Sequence, residues 1–124
     1  MLRLEELETY QLAMEIADEI WFEVEKWNHL ATDTVGKQII RSSDSIAANI
    51  SEGYGRFFFK ENKQFCYYSR GSLFETKTFL VKAKNRKLIS EEKYSLIYSK
   101  LETISKKLNA YIKSIGANQV TTKQ

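Results

Sequence analysis

The chain has 124 residues with no proline, five glycines, one cysteine, one histidine and a net charge of +3 at pH 7. That length fits one domain and excludes a catalytic domain joined to a regulatory one. Average composition would give roughly six prolines, so their absence excludes proline-rich linkers and favours long uninterrupted helices, while a lone cysteine excludes an internal disulfide or a cysteine zinc cage.

The first twenty-one residues, MLRLEELETYQLAMEIADEIW, are interrupted by acids every few positions and have neither the basic start nor the apolar run of a signal peptide. Nowhere do 18 apolar residues run together, so no membrane span is expected. With Cys66 unpaired, the chain reads as soluble and cytoplasmic.

The first segment is expected to be helical over 4–27. Leu7, Tyr10, Met14, Ala17, Trp21 and Val24 follow the 3-4 spacing of a heptad seam, and Ala13, Ile16, Ile20 and Trp27 form a second apolar line beside it. Residues 28–33 break the pattern, and Thr32, Asp33 or Thr34 suits the cap of a second helix over 33–53. Val35, Ile39, Ile46 and Ile50 mark its apolar face. Small side chains at Ser42, Ser43, Ser45, Ala47, Ala48 and Ser51 invite close approach by a neighbour, so this helix is expected to be central.

Gly53 and Gly55 are expected to end it in left-handed geometry. A third helix is predicted over 58–86, with Phe65, Tyr68, Ser72, Glu75, Phe79 and Lys82 at helical spacing and Leu73, Leu80 and Ala83 adding apolar area. Residues 85–89 form a turn, and Ser90 caps a fourth helix over 90–115, with Glu91 and Glu92 in the first turn where the helix dipole favours anions. Tyr94, Ile97, Leu101, Ile104, Leu108 and Tyr111 repeat the 3-4 spacing until Gly116 stops the helix, and 117–124 reads as a frayed tail. No stretch alternates with the period of a strand. Four helices joined by short loops make residues 1–116 a single all-α, up-down-up-down antiparallel four-helix bundle.

Charge is graded along the chain: residues 1–36 balance to −7, 37–81 to +3 and 82–124 to +7. Two readings stand open. Oppositely charged helices can lie side by side and solvate the outer faces, or the basic C-terminal half can face nucleic acid. The second reading rests on Lys82, Lys84, Arg86, Lys87, Lys93, Lys100, Lys106, Lys107 and Lys113.

Arg41, Ser45, Asn49, Glu52 and Arg56 are spaced 4, 4, 3 and 4, one stripe of the second helix, and Tyr68, Ser72 and Glu75 make a similar line on the third beside Arg70 and Gly71. Such a stripe can be a structural network, for example Arg41 with Glu75 or Arg70 with Glu52, which fixes register more than it stabilises. It can instead be a subunit interface, or a catalytic or ligand site. Catalysis has little support. His29, the sole histidine, is expected in a loop, which leaves no Glu-x-x-His pair for a di-iron bundle and no metal site. Cys66 lacks a histidine at motif spacing and reads as a buried inert thiol. The run EGYGR at 52–56 follows a helix and lacks the Gly-Lys-Ser/Thr of a phosphate loop. No enzyme activity, metal or cofactor is expected.

QIIRSSDSIAANISEGYGR at 38–56, followed by SRGSLFE at 69–75, resembles the four-helix-bundle family of bacterial rRNA intervening-sequence proteins, often labelled S23 ribosomal proteins. The matching positions are Arg41, Ser45, Ile46, Asn49, Ile50, Glu52, Gly53, Gly55, Arg56, Gly71, Ser72 and Glu75, and the likeness covers nearly the whole chain in length and helix order. The sequence departs from the pattern at Phe57, Phe58 and Phe59, where a polar helix start is commoner.

The resemblance implies subunits that assemble into a cyclic homopentamer, genes lying within insertions in large-subunit rRNA genes or elsewhere, and no catalytic residues. A related branch, the accessory variability protein of diversity-generating retroelements, binds nucleic acid and its reverse transcriptase. A ring needs two different faces to meet. An acidic first helix and a basic fourth helix supply such faces, with Phe57, Phe58, Phe59, Trp21 or Trp27 adding apolar area. The expected partners are therefore further copies of the chain and RNA or DNA. The alternative is a protein-interaction adaptor that binds another polypeptide and no nucleic acid directly.

Overall fold

The structure, a computed structural model, describes residues 2–117. It is all-α, with four long helices and no strand among the described residues. A 3-10 turn, Leu4–Glu6, precedes α1, Glu8–Val24; α2 occupies residues 29–54, α3 is Phe59–Asn85 and α4 is Glu91–Ser114. No helix among the described residues is long and apolar enough to cross a membrane.

α1 starts later than the expected residue 4 because Leu7, with ψ 117, is extended and separates the 3-10 turn from the helix proper. α2 starts earlier than residue 33. Asn28, not Thr32, Asp33 or Thr34, is the cap, its Oδ1 accepting from the Ala31 N–H at 2.9 Å. His29 is therefore the first residue of a helix and not part of a loop. From there the backbone runs through one α turn, His29–Ala31, a π segment, Thr32–Gly36, and a regular stretch, Lys37–Tyr54. A Cβ at Gly36 would lie 2.9 Å from Val24 Cγ1, so only glycine lets the end of α1 pack against this segment.

The expected left-handed glycines at the end of α2 are not there. Gly55 has φ −76, in the right-handed region, and Gly53 sits buried inside the helix. The left-handed positions are Gly116, φ 74, and Lys87, φ 59. Lys87 closes α3: its N–H donates to the Lys84 carbonyl at 3.0 Å and the Leu88 N–H to the Ala83 carbonyl at 2.9 Å, the two bonds of a Schellman ending. Ser90 caps α4 as expected, accepting from the Lys93 N–H at 3.1 Å.

Each helix packs against its neighbours in sequence, and α1 also packs against α4, so the four enclose one core. Ile16, Ile20, Ile39, Ile46, Ile50, Leu73, Leu80, Ile97, Leu101, Ile104 and Leu108 are fully buried there. On α1 the core takes the line of Ala13, Ile16 and Ile20 together with Ala17 and Val24. The heptad seam is only half used, because Met14 and Trp21 remain 46% and 48% exposed. On α3 the buried stripe is Cys66, Ser69, Leu73, Thr76, Leu80 and Ala83, one step round from the line the spacing suggested.

The most extensive packing is between α2 and α3, where small polar residues meet. The Ser69 hydroxyl donates to the Ile46 carbonyl at 2.7 Å, that of Thr76 to the Ser72 carbonyl at 2.8 Å, and the Ser42 and Thr76 hydroxyls lie 2.9 Å apart. Burial of these hydroxyls is tolerable because each has a partner. The indole N–H of Trp27 is buried without an acceptor among the described residues.

A side chain in the left-handed region costs roughly 1–2 kcal/mol relative to glycine. Lys87→Gly is expected to raise the melting temperature by about 2–8 °C in a calorimetric scan; an unchanged value would contradict the strain assigned to this turn.

Candidate functional site

The polar stripe of α2 is held mainly by its own helix. The Ser45 hydroxyl donates to the Arg41 carbonyl at 2.9 Å, the Asn49 amide to the Ser45 carbonyl at 2.9 Å, and Arg56 pairs with Glu52 at 2.9 Å. Arg56 also lies over the Phe65 ring, 4.8 Å from its centre. One pair crosses to α3: Arg41 Nη2 meets Glu75 Oε2 at 2.8 Å and also reaches Gln38. The other suggested pair, Arg70 with Glu52, does not form. Arg70 donates to Asn109 Oδ1 on α4 at 3.0 Å and sits over the Tyr67 ring at 5.0 Å.

Arg41 and Glu75 are 59% and 39% exposed, so their pair contributes at most about 1 kcal/mol. Gly53 has a larger structural role, since a Cβ there would come within 2.8 Å of the Asn62 carbonyl oxygen and 3.0 Å of Phe65 Cβ. Gly55 meets only ordinary contacts. Gly71 is the opposite case: exposed in mid-helix, with no atom within 4 Å of where a Cβ would stand. A glycine there costs about 1 kcal/mol of helix stability relative to alanine with no packing benefit inside the subunit. Beside it Ser72 is half-buried and Tyr68 exposed.

The basic residues divide into two groups. Lys100 pairs with Glu19 at 2.7 Å, Lys93 approaches the same carboxylate at 3.7 Å, and Lys107 pairs with Glu8 at 2.9 Å. The acidic α1 and basic α4 are thus neighbours that share ion pairs within one subunit. Lys82, Arg86 and Lys87, together with Lys106 and Lys113, are exposed and meet no carboxylate among the described residues. Lys84 lies over the Tyr94 ring at 4.4 Å. Lys82, Lys84, Arg86 and Lys87 therefore gather at one end of the molecule, around the α3–α4 turn.

Cys66 is buried, and burial pushes its thiol up to about 11, far from the thiolate that nucleophilic chemistry needs. Among the described residues no group of three or more His, Cys, Asp or Glu side chains could hold a metal ion. Sequence reasoning missed the Arg70–Asn109 contact, which joins α3 to α4. It also missed Asp18 and Asp44, on adjacent helices: burial first, and the Asp18 charge second, hold the Asp44 carboxyl above its usual value.

Four helices around an apolar core, with a polar stripe along the second and third, define a small all-α four-helix protein. Residues 5–110 match the family described as 23S rRNA-intervening sequence protein, and the chain belongs to that family. Its fold is similar to that of a protein of unknown function from the S23 ribosomal protein family of Bacteroides thetaiotaomicron. That similarity has a TM-score of 0.77 at 23% identity and covers 86% of this chain and 99% of the other. No curated protein matches the sequence.

Gly53→Ala is expected to lose about 1–3 kcal/mol from overpacking against the α3 backbone. A double-mutant cycle on Arg41 and Glu75 should give a coupling below about 1 kcal/mol. Urea denaturation of both sets tests the ranking, and a coupling larger than the Gly53→Ala loss would reverse it.

Proposed function

We propose that the chain is a non-enzymatic, cytoplasmic up-down-up-down antiparallel bundle that assembles into a ring of identical subunits, a pentamer as the family resemblance implies, and associates with RNA or DNA. The antiparallel topology is supported by contacts that step backward along one helix as they step forward along the next. Glu8 pairs with Lys107 and Glu19 with Lys100; the Ser42 hydroxyl faces Thr76 and the Ile46 carbonyl faces Ser69.

The observation that carries nucleic-acid association is the cluster at the α3–α4 turn, where Lys82, Arg86 and Lys87 have no internal anion to neutralise them among the described residues. Repetition of that cluster around a ring would present several copies to one phosphate backbone and raise the affinity through avidity. Lys93, Lys100 and Lys107 are engaged by α1 and contribute less. Their engagement, with Trp21, Phe22, Phe57, Tyr67 and Phe74 exposed, favours a second reading, an adaptor for another polypeptide.

Fluorescence anisotropy with a labelled single-stranded RNA and a DNA duplex, titrated from about 50 to 200 mM salt, separates the two. Phosphate contacts predict affinity that falls linearly on a log–log plot. Arg86→Glu with Lys87→Glu should lower both the affinity and the slope, the slope by about 1 for each phosphate no longer neutralised. Absence of binding at about 50 mM salt would leave the adaptor reading.

A further inference from the structure

The seam of α1 that the core leaves half used has a counterpart on α3. Met14 and Trp21 stand seven residues apart, two helical turns or about 10 Å, with Asp18 between them on the same face. Asp44 of α2 adds a second carboxylate beside Asp18, and neither pairs with a cation among the described residues. Tyr67 and Phe74 on α3 are likewise seven apart and 43% and 54% exposed. Arg70 and Gly71 lie between them, and Lys77 is 5.2 Å from the centre of the Phe74 ring. Arg70 has an amide and a ring for company but no carboxylate among the described residues.

Each helix therefore presents two large apolar anchors at the same separation, with an acid between one pair and a base between the other. α1 and α3 both pack against α2 and α4, so they occupy opposite corners of the bundle and their outer faces cannot meet within one subunit. A second copy can bring them together. Gly71, a helix-interior glycine that nothing in its own subunit requires, gives the α3 face a notch where an incoming side chain can sit close to the backbone.

Building on the self-association proposed above, we infer that the Met14–Asp18–Trp21 stripe of one subunit docks on the Tyr67–Gly71–Phe74 stripe of the next, pairing Asp18 with Arg70. Such a contact joins two different faces, so each subunit keeps one free edge of each kind, and addition ends where the rotation from one subunit to the next closes a ring. It also differs from a contact between acidic α1 and basic α4, because Glu8 and Glu19 already engage Lys93, Lys100 and Lys107 within the subunit. A nucleic acid stacking on Tyr67 and Phe74 is the competing occupant. The matched acidic stripe on the opposite corner favours another copy.

The test is light scattering on size-exclusion peaks at about 100 μM, with circular dichroism melting to show that each variant folds. Asp18→Arg sets a cation beside Asp44, so the subunit should melt no lower than wild type. The wild type should be a multiple of 14.5 kDa. Asp18→Arg, Arg70→Asp and Gly71→Leu should each weaken association tenfold or more, roughly what removing one central anchor of an interface does, and the double variant Asp18→Arg/Arg70→Asp should regain mass.

A monomeric wild type would overturn the self-association reading itself. A wild type that assembles, with Arg70→Asp retaining full mass, would overturn this interface and leave self-association standing. If that same variant also lost RNA affinity, the α3 stripe would belong to nucleic acid.

Discussion

The close approach of α2 to α3 sets the terms for the rest of the molecule. Two helices come this close where the residues between them are small, and here Ser42 meets Thr76, the Ile46 carbonyl meets Ser69, and Gly53 leaves room for Asn62 and Phe65. The hydroxyls answer one another or a backbone carbonyl, so burying them creates no orphaned polar group. With α2 and α3 held as a tight pair, the branched side chains of α1 and α4 complete the core from the other side. The polar stripe runs along the edge of this pair, where Arg41 reaches Glu75 across the seam.

Electrostatics follow from which helices become neighbours. The acidic first helix lies against the basic fourth, and ion pairs at Glu8 and Glu19 engage Lys93, Lys100 and Lys107. Among the charges left over are cations at the α3–α4 turn, Lys106 and Lys113 on α4, a carboxylate pair at Asp18 and Asp44, and Arg70 on α3. A net charge of +3 thus describes a surface of separate patches more than a uniformly basic one.

Much of the fold was legible because helical period and punctuation are local signals. The core marks of α4, Ile97, Leu101, Ile104 and Leu108, are buried as their spacing predicts, and Ser90 caps where a serine before two glutamates should. The failures have physical causes. Two apolar lines on α1 offered alternative inner faces, and periodicity does not say which one a neighbour takes; Met14 and Trp21 stayed outside. Gly53 looked like a terminator because its real role, room for the α3 backbone, depends on a residue nine positions away. The polar stripe was visible as spacing, but Arg70 chose Asn109 on the fourth helix over Glu52 on the second, a tertiary choice that no single-helix pattern encodes.

The π segment at Thr32–Gly36 has a consequence for phase. Each residue of an α-helix turns the chain by about 100°, so one extra residue in a turn shifts every later side chain by that angle relative to earlier ones. Ala31 is buried before the segment, and after it Ile39, Ile46 and Ile50 point into the core. The widened turn lets both settings coexist on one continuous backbone. It works as a mechanical coupling with an angular offset, and a uniform helix of the same composition would have to give up one setting to keep the other.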